Sequence, residues 1–192
     1  MRLKELSFAL FLLAGLAMPA LGKDANDKLL TYLADRAAIQ DLMTAYGTAH
    51  NTTDPELYRQ IFADDVKIVS PEGKVEFDGI GALLAEVKND RVRFNQGAKD
   101  GVRTYGVMRH LFTNMEINVT DNTATGRCYS LIITNNAPAK RPEILAMDRY
   151  NTEYVKRNGK WRISKMTIYV DWGSEEMAKM LQVGPYTPAQ DR

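Results

Sequence analysis

An α+β fold, a curved antiparallel sheet packed against N-terminal helices, is the architecture this sequence predicts. Three helical stretches, with one pair of short strands between the second and third, occupy Asp27 to about Arg93. From Tyr105 to Trp172 the pattern changes to alternation with period two. Tight-turn signals, Thr120-Asp121-Asn122 and Asn158-Gly159, separate the later strands. Helices followed by a meander place the helices on one face of a sheet. Strand twist accumulates, so four long strands curl, and a curled sheet closed by helices encloses a pocket.

Taken in order, residues from Asp27 to His50 read as a helix, with Leu29, Leu33, Ile39, Leu42, Met43 and Tyr46 at mostly three- and four-residue steps. A break and restart is allowed at Asp35. Asp54 caps a second, short helix, Glu56 to Phe62, and Pro55 suits its first position. Asp65 to Ser70 is a strand, Pro71-Glu72-Gly73 a turn, and Lys74 to Phe77 returns. A third helix runs from Ile80 to Arg93, and Phe94 to Gly101 is a loop. Tyr105–Val119, Thr123–Thr134, Glu143–Lys156 and Trp161–Trp172 are strands. A Pro-containing loop, 136–142, lies between the second and third of them. A short helix, Ser174 to Leu181, precedes the tail.

The N-terminus reads as a cleavable secretory signal over residues 1–22. Arg2 and Lys4 supply positive charge, and Leu6 to Leu16 is apolar except for Ser7 and Gly15. Pro19 breaks the run, and Ala20-Leu21-Gly22 offers small residues where a signal peptidase inspects them. The run is shorter than the ~20 apolar residues of a bilayer span. The expected mature chain is one domain, 23–192, with its core at about 30–172. Its location would be periplasmic or secreted, free of the membrane. The formal net charge is +1, with 25 Lys and Arg against 24 Asp and Glu, and no basic stripe speaks for nucleic acid. The single cysteine, Cys128, has no partner for an internal disulfide and sits in an apolar strand, as a buried thiol would. Two histidines and one cysteine, in no ligand spacing, give no metal site.

Three segments in order carry a resemblance. The first is Asp35-Arg36-Ala37-Ala38-Ile39-Gln40-Asp41-Leu42 with Tyr46, Leu57 and Phe62-Ala63-Asp64-Asp65-Val66. The second is His110-Leu111-Phe112-Thr113-Asn114. The third is Tyr150, then Asn158-Gly159-Lys160-Trp161-Arg162-Ile163, closing at Asp171-Trp172. Across about Leu30 to Trp172 the chain resembles the SnoaL-like branch of the nuclear transport factor 2 superfamily. Its characterised members include scytalone dehydratase, bile-acid 7α-dehydratase and polyketide cyclases. The resemblance implies a cone-shaped α+β barrel around a buried pocket, no metal, no cofactor, and a homodimer or homotrimer. Some members only bind ligands, and a fold does not fix a function.

His110 is the first candidate for chemistry. Histidine titrates near neutrality and can take and give a proton, and in similar dehydratases the histidine at this position does so. The alternative is a buried histidine satisfied by hydrogen bonds. Alternation puts Met108, Phe112 and Asn114 on its face, and Leu111, Thr113, Met115 and Ile117 on the other. The last set is a candidate surface for self-association. Tyr46 matches the family's pocket tyrosine, whose phenol holds a substrate oxygen; otherwise it is core. Asn51 stands where dehydratase-type relatives carry aspartate. It orients a ring or a ligand but cannot ionise, so a strict His–Asp dyad is absent. His50, four residues after Tyr46, either pairs with His110 or ends the helix exposed. Met166 stands where many relatives carry arginine, while Lys165 points the other way. Asp148, Tyr150, Thr152 and Tyr154 share one face. If it is concave, Asp148 is a candidate for the missing carboxylate; if convex, these residues are surface or interface.

A pocket that has lost an aspartate and an arginine suits a small hydrophobic, cyclic or aromatic molecule. The leading expectation is an exported, cofactor-independent lyase or isomerase of dehydratase type, with His110, Tyr46 and Asn51 as its catalytic groups. His50, Phe112, Asp148, Tyr150 and Met166 would line the substrate. The alternative is a ligand-binding protein without catalysis.

Overall fold

The computed structural model describes residues 22–95, 108–136 and 141–175. The expected signal segment as far as residue 21, loop residues 96–101, the strand start at Tyr105, loop residues 137–140 and the final helix beyond Glu175 lie outside them. Helices α1 (Lys23–Thr52), α2 (Pro55–Ile61) and α3 (Ile80–Asn95) accompany strands β1 (Phe62–Val69), β2 (Val75–Asp78), β3 (Met108–Thr120), β4 (Thr123–Asn136), β5 (Arg141–Arg157) and β6 (Lys160–Gly173). The chain divides into two compact units, up to Ala34 and from Asp35 onward. In the first, Leu29, Leu30 and Leu33 are exposed. The hydrophobic core belongs to the second.

Helix α1 is continuous, so the break that the sequence allows at Asp35 does not occur. Arg36-Ala37-Ala38 are good helix formers, and the Asp35 carboxylate is engaged elsewhere. Its Oδ1 accepts from the Trp161 indole at 2.8 Å and from Lys156 Nζ at 2.7 Å. Burial alone would raise the Asp35 carboxyl, but the hydrogen bonds from Lys156 and Trp161 hold it below its ordinary range. Nearby, the Arg36 guanidinium donates to the Ile117 carbonyl at 2.6 Å. These bonds tie α1 to the hairpin ends of β5 and β6 and to β3. Asp54 caps α2 as expected, accepting from the Glu56 and Leu57 amides at 2.9 and 3.4 Å. β1 starts at Phe62, three residues before the expected Asp65. Phe62 is already extended, with φ −93° and ψ 149°, and ends the helix.

The six-stranded sheet has the order β2-β1-β6-β5-β4-β3. Four of its pairings are antiparallel, but β1 runs parallel to β6. The sheet is therefore mixed rather than wholly antiparallel. It is also open, with β2 and β3 as its edges among the described residues, so the curved α+β cone does not close into a barrel. The parallel pairing arises because β1 enters from α2 while β6 returns at the end of the meander. The Asn158-Gly159 hairpin turn has both residues at positive φ, 52° and 73°.

One feature of β3 reverses the expected faces. The β3–β4 register shifts between Thr113 and Glu116, and Asn114 adopts φ 51°. This bulge adds a residue and changes the phase of the strand. Asn114 is exposed, while Ile117 is buried in the core with Met115 packed against that core. Met115 and Ile117 thus join the inner face of His110 and Phe112 and leave the self-association surface expected for them. Leu111 stays outside. It starts an outward row, Leu111–Leu131–Met147–Trp172, across four strands. Leu111, Met147 and Trp172 are exposed.

Candidate active site

His110 projects from β3 toward the last turn of α1. Gly47 permits the approach: a Cβ there would stand 3.1 Å from Phe112 Cε2 and 3.5 Å from His110 Cβ. Beyond Asn51 the helix ends at Thr53, a β-branched residue at φ 49°. Left-handed backbone at such a residue costs on the order of 1 kcal/mol and is kept where surrounding structure demands it. The turn leaves His50 and Asn51 facing β3. The Asn51 Oδ1 lies 2.7 Å from His110 Nδ1. An amide oxygen only accepts, so Nδ1 carries the proton and donates it, and Nε2 keeps its lone pair. That Nε2 is buried without a hydrogen-bond partner.

His50 stacks on His110 with ring centroids 4.5 Å apart and planes 29° from parallel. The stack favours the paired reading of His50 over an exposed helix end. Its Nδ1 is also buried and unpartnered. Burial, and then the neighbouring His50, pulls the His110 imidazole down to about 2. Burial lowers His50 as well. Both rings are neutral near pH 7.

Tyr46 lies at the centre of an aromatic cluster. Its ring is 6.0 Å from Phe112, 6.0 Å from Tyr150 and 5.8 Å from His50. Tyr58 and Phe62, at 6.3 and 5.8 Å, complete the wall. Burial raises the Tyr46 phenol above its ordinary value, and the same holds for Tyr150. The Tyr46 and Tyr150 rings meet edge to face, with 69° between their planes.

The face carrying Asp148, Tyr150, Thr152 and Tyr154 is the inner one, and all four are buried. Asp148 does not serve as the carboxylate partner of His110, whose Nδ1 is taken by Asn51. It lies two strands away, in the register row Phe112–Ser130–Asp148. Two interstrand spacings alone amount to about 10 Å. Its Oδ2 accepts from Ser130 Oγ at 3.5 Å, and its Oδ1 is buried without a partner. Burial pushes its carboxyl up to about 7, despite the Ser130 hydrogen bond, with Asp171 adding to the rise.

Met166 is fully buried in the core, whereas Lys165 bonds Glu153 at 2.9 Å on the outer face. Cys128 is a buried thiol, raised by that burial to about 12. Ser130 and Tyr58 were not singled out from sequence, and Phe62 was read as part of a motif rather than of the site. Ser130 had a signal, since alternation places it on the face of Cys128. Among the described residues no group of three His, Cys, Asp or Glu side chains gathers to hold a metal. A hollow of about 510 Å³ lies on the outer face, away from His110, between Glu116, Arg127, Glu153 and Lys165. Its charges pair with one another, Arg127 with Glu116 and Lys165 with Glu153, each at 2.9 Å. No helix among the described residues is long and apolar enough to cross a membrane.

The model of the SnoaL-like domain family matches residues 31–167. No curated protein matches the sequence. Among solved structures, the fold is similar to an NTF2-like protein with a cystatin-like fold from Novosphingobium aromaticivorans. The identity is 19%, the TM-score 0.64, and the match covers 86% of this chain and 99% of that one. Rv3472, a function unknown protein from Mycobacterium tuberculosis, matches at 26% identity and TM-score 0.58, over 76% of this chain and 82% of that one. The hexachlorocyclohexane dehydrochlorinase LinA-type3 from Novosphingobium barchaimii matches at 22% identity and TM-score 0.58, over 76% and 92%. The first and third of these are likenesses of fold alone.

Proposed function

The chain belongs to the SnoaL-like domain family, and from that premise we propose that it is an exported, cofactor-independent lyase or isomerase acting on a small hydrophobic, cyclic or aromatic molecule. The observation that carries the reading is the Asn51–His110 bond at 2.7 Å, which leaves a bare, buried imidazole nitrogen beside an aromatic wall. His110 Nε2 takes a proton from carbon next to an activating oxygen. Tyr46 holds that oxygen as it gains charge. Asn51 orients the ring instead of contacting the substrate oxygen, because its own oxygen is occupied by Nδ1–H. The aromatic cluster and buried Met166 suit an apolar substrate.

A base as weak as His110 in the resting site accepts a proton only when an anion forms beside it. Among buried side chains, where the dielectric is low, the ion pair between imidazolium and developing enolate supplies that compensation. The dehydrochlorinase similar in fold, which by its name removes hydrogen chloride, suggests elimination as the reaction class. The test is exchange in deuterium oxide. Enzyme-dependent deuterium incorporation into at least one member of a panel of cyclic ketones and β-hydroxy carbonyl compounds is the expected result. Absence of exchange in compounds that demonstrably bind would end the proposal.

A second reading, ligand binding without turnover, is favoured by the lack of a carboxylate hydrogen-bonded to His110. Native mass spectrometry of the exported protein separates the two. A retained hydrophobe, released unchanged, supports binding. The same spectrum reads the subunit mass, expected to start at Lys23, and the copy number. The outward apolar row ending at Trp172 suits a homodimer or homotrimer, and a monomer would count against it.

A further inference from the structure

The hollow on the outer face takes no part in chemistry at His110, and it is regularly built. Its floor is two register rows that cross β3, β4, β5 and β6. The first is Glu116–Arg127–Asn151–Thr167 and the second Asn118–Thr125–Glu153–Lys165. Three interstrand spacings make the floor about 14 Å wide, and the rows lie about 7 Å apart along the strands. Register shifts flank it at Thr113/Glu116 and at Glu153/Tyr154. Such bulges bend the strands that carry them. Its volume of about 510 Å³ falls within the roughly 300–1,000 Å³ of small-ligand sites.

Every side chain in both rows is polar. The two ion pairs occupy diagonally opposite quarters of the floor: Glu116–Arg127 on β3 and β4, and Glu153–Lys165 on β5 and β6. The other two quarters are neutral, Asn118 beside Thr125 and Asn151 beside Thr167. Among the described residues, the side chains of these four make no hydrogen bond within the protein.

We propose that this hollow binds a neutral polyhydroxylated molecule, a mono- or disaccharide. Its charges sum to zero, so an anion meets two carboxylates and a cation meets Arg127 and Lys165. An apolar molecule would strip water from eight polar side chains without replacing its hydrogen bonds. A sugar hydroxyl both donates and accepts. The unengaged amides and threonine hydroxyls do the same. Each exposed ion pair is worth little in itself and presents a donor beside an acceptor. Tyr169 lines the hollow as an aromatic wall, against which the C–H face of a sugar ring can pack. The Arg149 guanidinium lies 5.0 Å from that ring's centroid and is held by Asp171 at 2.9 and 3.1 Å, which steadies the wall.

The test is a titration of 15N-labelled protein with glucose, galactose, N-acetylglucosamine, cellobiose and chitobiose. The side-chain amide resonances of Asn118 and Asn151, assigned by Asn118→Ala and Asn151→Ala, are expected to shift and saturate with at least one of these sugars. Sodium sulfate, choline chloride and cyclohexane should give no saturating shift. Asn151→Ala and Tyr169→Ala, read on the Asn118 amide, should each weaken binding about tenfold, as loss of a hydrogen-bonding or packing partner does. His110→Gln should leave sugar binding unchanged, which separates this hollow from the inner site. No saturation with any of these sugars, an affinity that survives both outer-face substitutions, or loss of binding in His110→Gln overturns the proposal. So do amide shifts in the free protein that depend on its concentration, because a second copy then covers the hollow.

Discussion

Replacing His110 with glutamine is expected to lower turnover by about 10²- to 10⁴-fold, the range a positioned general base contributes. Glutamine is near enough in size to keep the packing against Phe112 and Gly47, but its amide cannot accept a proton at any working pH. The loss should fall on kcat with little change in KM, because the interaction removed belongs to the transition state. Asn51→Asp is the informative companion. A carboxylate 2.7 Å from Nδ1 favours the imidazolium and raises the histidine out of its present range near 2. The unaltered protein should keep its base form as pH falls through 6.5, since a depressed imidazole stays neutral there. Asn51→Asp should bring an acid limb into the pH–rate profile. Unchanged turnover in His110→Gln would remove proton abstraction by this residue.

The second large effect is on stability against pH. His110 falls to about 2 in the folded protein, against about 6.5 in an unfolded chain. Below pH 6.5 the unfolded state therefore binds a proton that the native state refuses. Stability is then lost as pH falls, at up to about 1.4 kcal/mol per pH unit. His50, also depressed by burial, adds a loss of the same sign. Asp148 acts oppositely. Raised to about 7, it binds a proton in the native state that the unfolded carboxyl, at about 3.9, has released. Its contribution is fully present below pH 4 and is lost as pH rises toward 7. Between pH 6.5 and 4 the carboxyl offsets one histidine, so the decline is shallow; below pH 4 the offset ends and it steepens. Urea midpoints measured across this range should show Asp148→Asn steepening the decline between pH 4 and 6.5, and His110→Gln flattening it. Asp148→Asn without effect on the slope between pH 4 and 6.5, or His110→Gln without effect on it, would contradict the burial described for these groups.

Much of the fold is written locally. The spacing of Ile39, Met43 and Tyr46 marks the buried face of α1, Asp54-Pro55 opens α2, and Asn158-Gly159 turns the last hairpin. Each depends on neighbours in sequence, and period and capping express them directly. The bulge at Asn114 does not, because one residue of positive φ changes the phase of β3 without altering its composition. That is why Met115 and Ile117 read as outward. Alternation divides β5 into two faces but carries no sign for which is concave. The inward placement of Asp148 was therefore undecidable until the helices packed on the sheet. The parallel pairing of β1 with β6 and the bond from Trp161 to Asp35 join residues far apart in sequence, where no window of periodicity reaches. At the site, the His110 match was visible from the resemblance. The contact with Asn51 and the stack on His50 join the end of α1 to a strand far along the chain, where no local pattern reaches.

Nitrogen-15 NMR of the His110 ring tests the central claim most directly. The Nδ1–H tautomer is expected, with Nε2 unprotonated and no titration between pH 8 and 5. An Nε2–H tautomer, or an imidazolium forming with a midpoint near 6.5, would contradict it.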